Sequence, residues 1–181
     1  FTSMFAGCTS LVDLRGVTFE DTTPNNDTDN CGGGMYAMFN NCRSLKYIGT
    51  LINRGDLRTT FANCHALELI EEFQFANTYT SLDSYLIFQN ISGTVELDIN
   101  FTCTGVGPAW FTGDINNNTF NKPNFTRETI VKLFNCLSNF DTTKTNAIGS
   151  STVPLTFKST VRAKLTDSDI AIATAKGWTI G

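Results

Sequence analysis

The residues best suited to chemistry are few and scattered. Glu68, Glu71 and Glu72 place three carboxylates close together in the sequence, and a carboxyl pair flanking a glycosidic bond is what glycoside hydrolysis requires. Against that, a charge run beside a strand is ordinarily a solvated face, and the trio is read that way. The single histidine, His65, directly follows Cys64. Neighbours in extended chain face opposite sides, so the two are poor joint ligands for zinc, which needs several convergent donors. The only histidine sits in a slot that the other copies fill with Thr9 and Arg43, so a Ser-His-Asp or Cys-His arrangement loses most of its support. Asn25, Asp27 and Asp29, and again Asp114, Asn116 and Asn118, alternate like the opening of a calcium loop. The sixth and twelfth positions are Asn30 and Tyr36 in the first and Thr119 and Phe125 in the second, where an EF-hand has glycine and glutamate. Solvated turns are therefore expected, with a non-EF oxygen site as the alternative. Gly32-Gly33-Gly34 lacks the Lys-Ser or Lys-Thr of a phosphate loop. No metal or cofactor is expected, and the chain reads as a non-enzyme.

The six cysteines lead to the elements that position them. Met4-Phe5-Ala6-Gly7-Cys8-Thr9-Ser10-Leu11 is followed by Met38-Phe39-Asn40-Asn41-Cys42-Arg43-Ser44-Leu45 and by Thr60-Phe61-Ala62-Asn63-Cys64-His65-Ala66-Leu67. The shared pattern is Phe-x-x-Cys-x-x-Leu, with an aliphatic residue three positions on. The polar segment from Thr23 to Gly34 accounts for the longer first interval, leaving an underlying period of about 22 residues, the length of one strand-plus-turn unit. Stacked copies align equivalent positions, so Phe5, Phe39 and Phe61 form one expected column, Cys8, Cys42 and Cys64 a second, and Leu11, Leu45 and Leu67 a third. Cysteine suits such a column as a small buried hydrophobe, and these three are expected free and buried. Gly7, Asn41 and Asn63 fit a turn needing unusual backbone angles. Cys31, Cys103 and Cys136 share no spacing motif; a Cys31 to Cys103 pairing is open but unsupported. A degenerate copy lies at Ile87-Phe88-Gln89-Asn90-Ile91, followed by the alternating strand Val95 to Phe101.

The Phe-x-x-Cys-x-x-Leu copies resemble the leucine-rich repeats of the BspA-like family, found on bacterial cell surfaces and in some protist and phage proteins. The resemblance covers roughly residues 1–70. It implies a leucine-rich-repeat solenoid used for adhesion or binding, whose repeat positions are structural and whose ligand contacts vary.

Gly105, Gly107, Pro108, Gly113 and Pro123 make residues 102–125 a long loop or linker. Thr126 then caps a helix with Ile130, Leu133, Phe134 and Leu137 on one stripe. Val153 to Phe157 reads as a short strand, at an edge because of Pro154. Thr166 and Asp169 form a capping-box pair before a final helix, Leu165 and Ile170 its staple, and Lys176-Gly177 its stop. Trp178-Thr179-Ile180 returns as a strand. This end is similar to a tail that recurs in leucine-rich-repeat proteins of gut bacteria and their phages. That similarity implies a terminal cap carrying Thr166, Asp169, Gly177 and Trp178. The expected fold is thus α+β: a solenoid of three to four repeats over 1–101 with an insertion at 23–34, a linker over 102–125, and a helix-strand-helix capping unit over 126–181.

Composition bounds the function. The chain has 181 residues, 41% of them hydrophobic and fifteen of them phenylalanine, enough for a packed core. Only 17% are charged, the formal net charge is -4, and no window gathers Lys and Arg, which disfavours nucleic acid and anionic membrane surfaces. No apolar run spans a bilayer. The abundance of Asn, Thr and Ser suits an extracellular domain, with a virion surface as the alternative. Asn-x-Ser/Thr sequons at Asn26, Asn90, Asn100, Asn117 and Asn124 would matter only in a eukaryotic secretory host. The chain opens inside a repeat and without a signal peptide, which suggests that a longer N-terminal part once preceded it. The functional expectation is a surface recognition or adhesion module for a protein or glycan. The alternatives are a structural spacer or assembly piece of a surface fibre or phage tail, and, more remotely, a glycan-active enzyme. The insertion at 23–34 and the loop at 104–124 are the expected contact segments.

Overall fold

A computed structural model describes residues 1–21, 34–53, 55–75, 86–106, 122–139 and 154–181. Five strands, β1 (Asp13–Asp21), β2 (Tyr47–Asn53), β3 (Leu69–Phe75), β4 (Glu96–Phe101) and β5 (Asn124–Phe125), form one all-parallel sheet in the order β1-β2-β3-β4-β5. Among the described residues, α1 (Arg127–Cys136) is followed by β6 (Pro154–Leu155), α2 (Ser159–Arg162), α3 (Asp167–Thr174) and β7 (Thr179–Ile180), with β6 and β7 paired in parallel.

This corrects the expected leucine-rich-repeat solenoid with a separate helix-strand-helix cap. The structure is a five-stranded parallel sheet carrying a few short helices, and the reason lies in its register. Between β2 and β3 the offset stays constant, pairing Tyr47 with Leu69, Leu51 with Phe73 and Asn53 with Phe75. The offset slips between Leu14 and Thr18 on β1, and between Ile70 and Phe73 on β3 where it meets β4. The fifth strand comes from Asn124–Phe125, which carries no repeat and was expected to end a linker; Glu96 pairs with Asn124 and Leu97 with Phe125. On β1 the slip is a bulge: Gly16 has φ 71 and its N–H donates to Glu71 Oε2 at 2.9 Å. The neighbouring strand accommodates this only because it has no side chain there, since a Cβ on Gly49 would lie 2.3 Å from the Val17 carbonyl oxygen.

The turns before the strands stack through their backbones. The N–H groups of Phe5, Phe39 and Phe61 donate to the carbonyls of Met38, Thr60 and Ile87 at 2.9, 3.0 and 3.0 Å. Each turn holds two residues in the left-handed region: Ser3 and Gly7, Ala37 and Asn41, Thr59 and Asn63, Leu86 and Asn90. Glycine and asparagine signal the second of each pair. Nothing in the sequence signals the first, and β-branched Thr59 at φ 54 adopts it only because the stacked turns on either side fix its backbone. Inside, Phe5, Phe39, Phe61 and Phe88 stack with ring centroids 5.5, 6.0 and 5.5 Å apart. Cys42 and Cys64 are buried and their thiols donate to the Phe5 and Phe39 carbonyls at 3.0 and 3.1 Å. Cys8 is exposed, so the expected buried thiol column holds two members among the described residues. Leu45 and Leu67 are buried, whereas Leu11 is half-buried.

The C-terminal segments close the other end of the same core. Thr126 accepts the Thr129 N–H, and Ile130, Leu133, Phe134 and Leu137 are all buried. Thr129 Oγ1 takes the Ile99 N–H at 2.8 Å, tying α1 to β4. The last turn of α1 has no basic residue of its own; Lys176 Nζ, beyond the end of α3, donates to the Phe134, Asn135 and Leu137 carbonyls at 2.8–2.9 Å, the position where a cation complements the helix dipole. On α3, Thr166 and Asp169 form the reciprocal capping box, and Asp169 also takes a two-point bond from Arg127, both at 2.8 Å. Gly177 has φ 85, and buried Trp178 donates its indole N–H to the Ser138 carbonyl at 2.8 Å. Apolar contact is continuous from Phe19 through Phe61 and Phe125 to Trp178.

Candidate functional site

Strand alternation leaves one face of the sheet open. Ile48, Ile70 and Ile99 pair across β2, β3 and β4 and point into the core, as do Leu51, Phe73 and Phe101. The register opposite to these sets Asp13, Tyr47, Leu69 and Asp98 side by side on four consecutive strands. None of the four is buried. With parallel strands about 4.8 Å apart, this row spans the width of a small ligand or loop.

The row is charged and its ring is held in place. The Arg15 guanidinium lies 4.4 Å from the centroid of the Tyr47 ring and forks onto the Asp13 carboxylate through Nε at 3.0–3.1 Å and through Nη2. The Tyr47 hydroxyl donates to Glu68 Oε2 at 3.1 Å, and Lys46 Nζ donates to Glu68 Oε1 at 2.8 Å. The ammonium of Lys46, with help from the Tyr47 hydroxyl, holds the Glu68 carboxyl below its ordinary range, and Glu68 in turn raises Lys46. Hydrogen bonding to Arg15 likewise lowers Asp13. Asp98 accepts from the hydroxyls of Thr126 and Thr129 at 3.1 and 3.0 Å. Between these groups is an open depression of about 420 Å³ bounded by Tyr47, Glu68, Leu69, Glu96, Asp98 and Thr126. Behind Glu96, Lys164 Nζ reaches Glu96 Oε1 at 2.6 Å and the Phe125 carbonyl at 2.8 Å. No family model, curated protein or solved structure matches this chain.

Such an arrangement offers a tyrosine ring with Arg15 over one face, carboxylates already paired, and three partly exposed cations, Arg15, Lys46 and Lys164. It can hydrogen-bond, and its carboxylates are engaged in doing so. The acidic trio shows this best. Glu68 is committed to Lys46 and Tyr47, Glu71 to the Gly16 N–H, and Glu72 to the Thr102 hydroxyl at 2.9 Å. A general acid needs a raised carboxyl pKa, and that of Glu68 is lowered. His65 is exposed while Cys64 points into the core, so the two do not converge. Among the described residues, no group of three His, Cys, Asp or Glu side chains is placed to hold a metal, and no helix is long and apolar enough to cross a membrane.

The oxygen-rich runs at Asn25, Asp27 and Asp29 and at Asp114, Asn116 and Asn118, Cys31, and most of the expected contact segments at 23–34 and 104–124 lie outside the described residues. Gly34, at the edge of the first, is described: its N–H donates to Asp21 Oδ2 at 2.6 Å and it bridges to Asp56. Sequence reasoning passed over Arg15, Lys46, Tyr47, Glu96 and Asp98. A signal was present, because Asp13, Tyr47 and Leu69 occupy equivalent places just after each Phe-x-x-Cys copy and differ in type, as outward positions on a repeated strand do.

Proposed function

We propose that the chain is a non-catalytic recognition module, displayed extracellularly or on a virion, that takes a protein or glycan ligand across the Tyr47 depression. The observation that carries this reading is the Tyr47 ring, fixed before any ligand arrives by Arg15 on its face and Glu68 on its hydroxyl. A rigid aromatic anchor rimmed by hydrogen-bonding charges loses little conformational entropy on binding. The likeness of the Phe-x-x-Cys copies to those of surface adhesion proteins supports the same role, as do the low charge content and the Asn- and Thr-rich composition.

A glycan array and an affinity pull-down against surface extracts, run with the wild-type chain and with Tyr47→Ala, test it. Binding should weaken at least about tenfold in the variant, as expected for loss of an aromatic anchor. Binding that is unchanged in Tyr47→Ala, or a wild-type chain with no ligand in either screen, would sink the proposal. A second reading, an assembly piece of a fibre or tail, draws on one feature: Phe1, Met4, Val12 and Val17 are exposed beside the β1 edge, Met4 to 57%. Light scattering showing a stable symmetric oligomer would favour it.

A further inference from the structure

Two cysteines outside the stacked turns lie against each other. Cys103 follows β4 and Cys136 ends α1, and each is only 4% exposed. The backbones around them are joined: the Val106 N–H donates to the Cys136 carbonyl at 2.9 Å, the Ser138 N–H donates to the Val106 carbonyl at 2.9 Å, and Val106 pairs with Leu137 in a parallel bridge. The two side chains are in hydrogen-bonding contact, with Cys136 sulfur accepting from the Cys103 thiol and from the Cys103 backbone N–H. Both thiols are free. Two free thiols in contact on separately folded segments constitute a dithiol. Cys42 and Cys64, by contrast, each donate to a carbonyl of the preceding turn and are spent on it.

We propose that Cys103 and Cys136 are a site of disulfide formation that fastens the end of α1 to the end of β4 when the protein meets a disulfide oxidant.

The local electrostatics assign the order of events. Cys136 is lowered, chiefly by the Cys103 thiol that donates to it and with a contribution from the Lys176 ammonium, while Cys103 is raised by the same contact and by burial. Cys136 ends α1 where Lys176 Nζ reaches the Phe134, Asn135 and Leu137 carbonyls, and a nearby cation favours the thiolate, which is the attacking species. With oxidised glutathione as oxidant, the Cys136 thiolate attacks one glutathione sulfur, forming a mixed disulfide and releasing one glutathione thiolate. Cys103 passes its proton to that thiolate and attacks the Cys136 sulfur, forming the protein disulfide and releasing the second glutathione, which picks up the proton that Cys136 gave to solvent. Two electrons and two protons pass from the pair to the oxidant. Burial of both sulfurs makes the first attack wait on local opening, so exposed Cys8 reacts sooner and the pair more slowly but to completion.

The test uses the full chain, incubated natively with oxidised glutathione, alkylated, and mapped by non-reducing chymotryptic digestion and mass spectrometry. A linked peptide joining Cys103 to Cys136 is expected, with Cys42 and Cys64 recovered as alkylated thiols only after denaturation. Closing a loop of roughly 30 residues should also raise the melting temperature by about 5–10 °C, a rise absent in Cys136→Ser and in Cys103→Ser. The proposal is overturned if Cys103 and Cys136 remain alkylatable after oxidation, if they pair with other cysteines, or if the melting rise survives in either serine variant. None of these readouts depends on a ligand at Tyr47, so the two proposals fail separately.

Discussion

Replacing Phe61 by alanine measures how much the ring column contributes. Phe61 is fully buried, stacked between Phe39 and Phe88 at 6.0 and 5.5 Å and touched edge-on by Phe73 at 5.8 Å. Deleting a buried phenylalanine side chain costs about 3–5 kcal/mol in lost transfer energy and cavity. That range already includes lost ring contacts, and the three made by Phe61 put it at the upper end, so about 5 kcal/mol is expected. For a domain of this size that lowers the melting temperature by about 10–15 °C, and it is a large share of a typical total stability of about 5–15 kcal/mol. Phe5 sits at the open end of the same column, half-buried, against Phe39 and Phe19. Phe5→Ala should therefore cost about 2 kcal/mol. Urea titrations of wild type and both variants, followed by far-ultraviolet circular dichroism, give the two differences. Equal losses, or a Phe61→Ala loss below about 2 kcal/mol, would refute the view that burial within the column sets the stability of the stacked turns.

Thr129→Val keeps the shape of a fully buried residue while stranding the Ile99 N–H that bonds its hydroxyl at 2.8 Å. A buried donor left unpaired costs about 1–3 kcal/mol, measurable in the same titration, whereas Thr126→Val should lose only about 1 kcal/mol for the α1 cap. Acid should also loosen the C-terminal segments. Asp169 is held at about 2, below its usual 3.8, first by Arg127 and then by the Thr166 cap. A lowered carboxyl contributes stability that is full above the unfolded pKa near 4 and is lost as pH falls toward 2. Asp169→Asn should be less stable than wild type at pH 6, with the gap narrowing from pH 4 down to pH 2. A gap that stays constant over that range would mean the carboxylate charge is not what matters.

Local signals in the sequence located the elements well. The capping box at Thr166 and Asp169, the cap at Thr126, the apolar stripe through Ile130 and Phe134, and the left-handed glycine at 177 all act within one turn of chain. Their physics is complete in a few neighbouring residues, and so they can be read without a fold. The repeated Phe-x-x-Cys spacing likewise identified which residues face one another, because equal spacing places like residues opposite each other wherever the chain repeats. It failed where the repeat is irregular. The bulge at Gly16 and the slip after Ile70 are settled by contacts between strands, and the two-residue strand at Asn124–Phe125 exists only because the β4 edge offers unpaired backbone groups to it.

The candidate site shows the same division. Sequence alone set which residues are polar and outward on each strand, and it set the single His in an outward slot that the other copies fill with Thr9 and Arg43. It could not bring Arg15 over Tyr47, Glu68 between Lys46 and the Tyr47 hydroxyl, or Cys103 against Cys136. Those pairs are far apart along the chain or on different strands, and their meeting depends on parallel register and on α1 docking against β4. Alternation and capping are short-range consequences of backbone geometry, fixed by residue type. Proximity across strands is set by how the whole core packs, which only the tertiary structure decides.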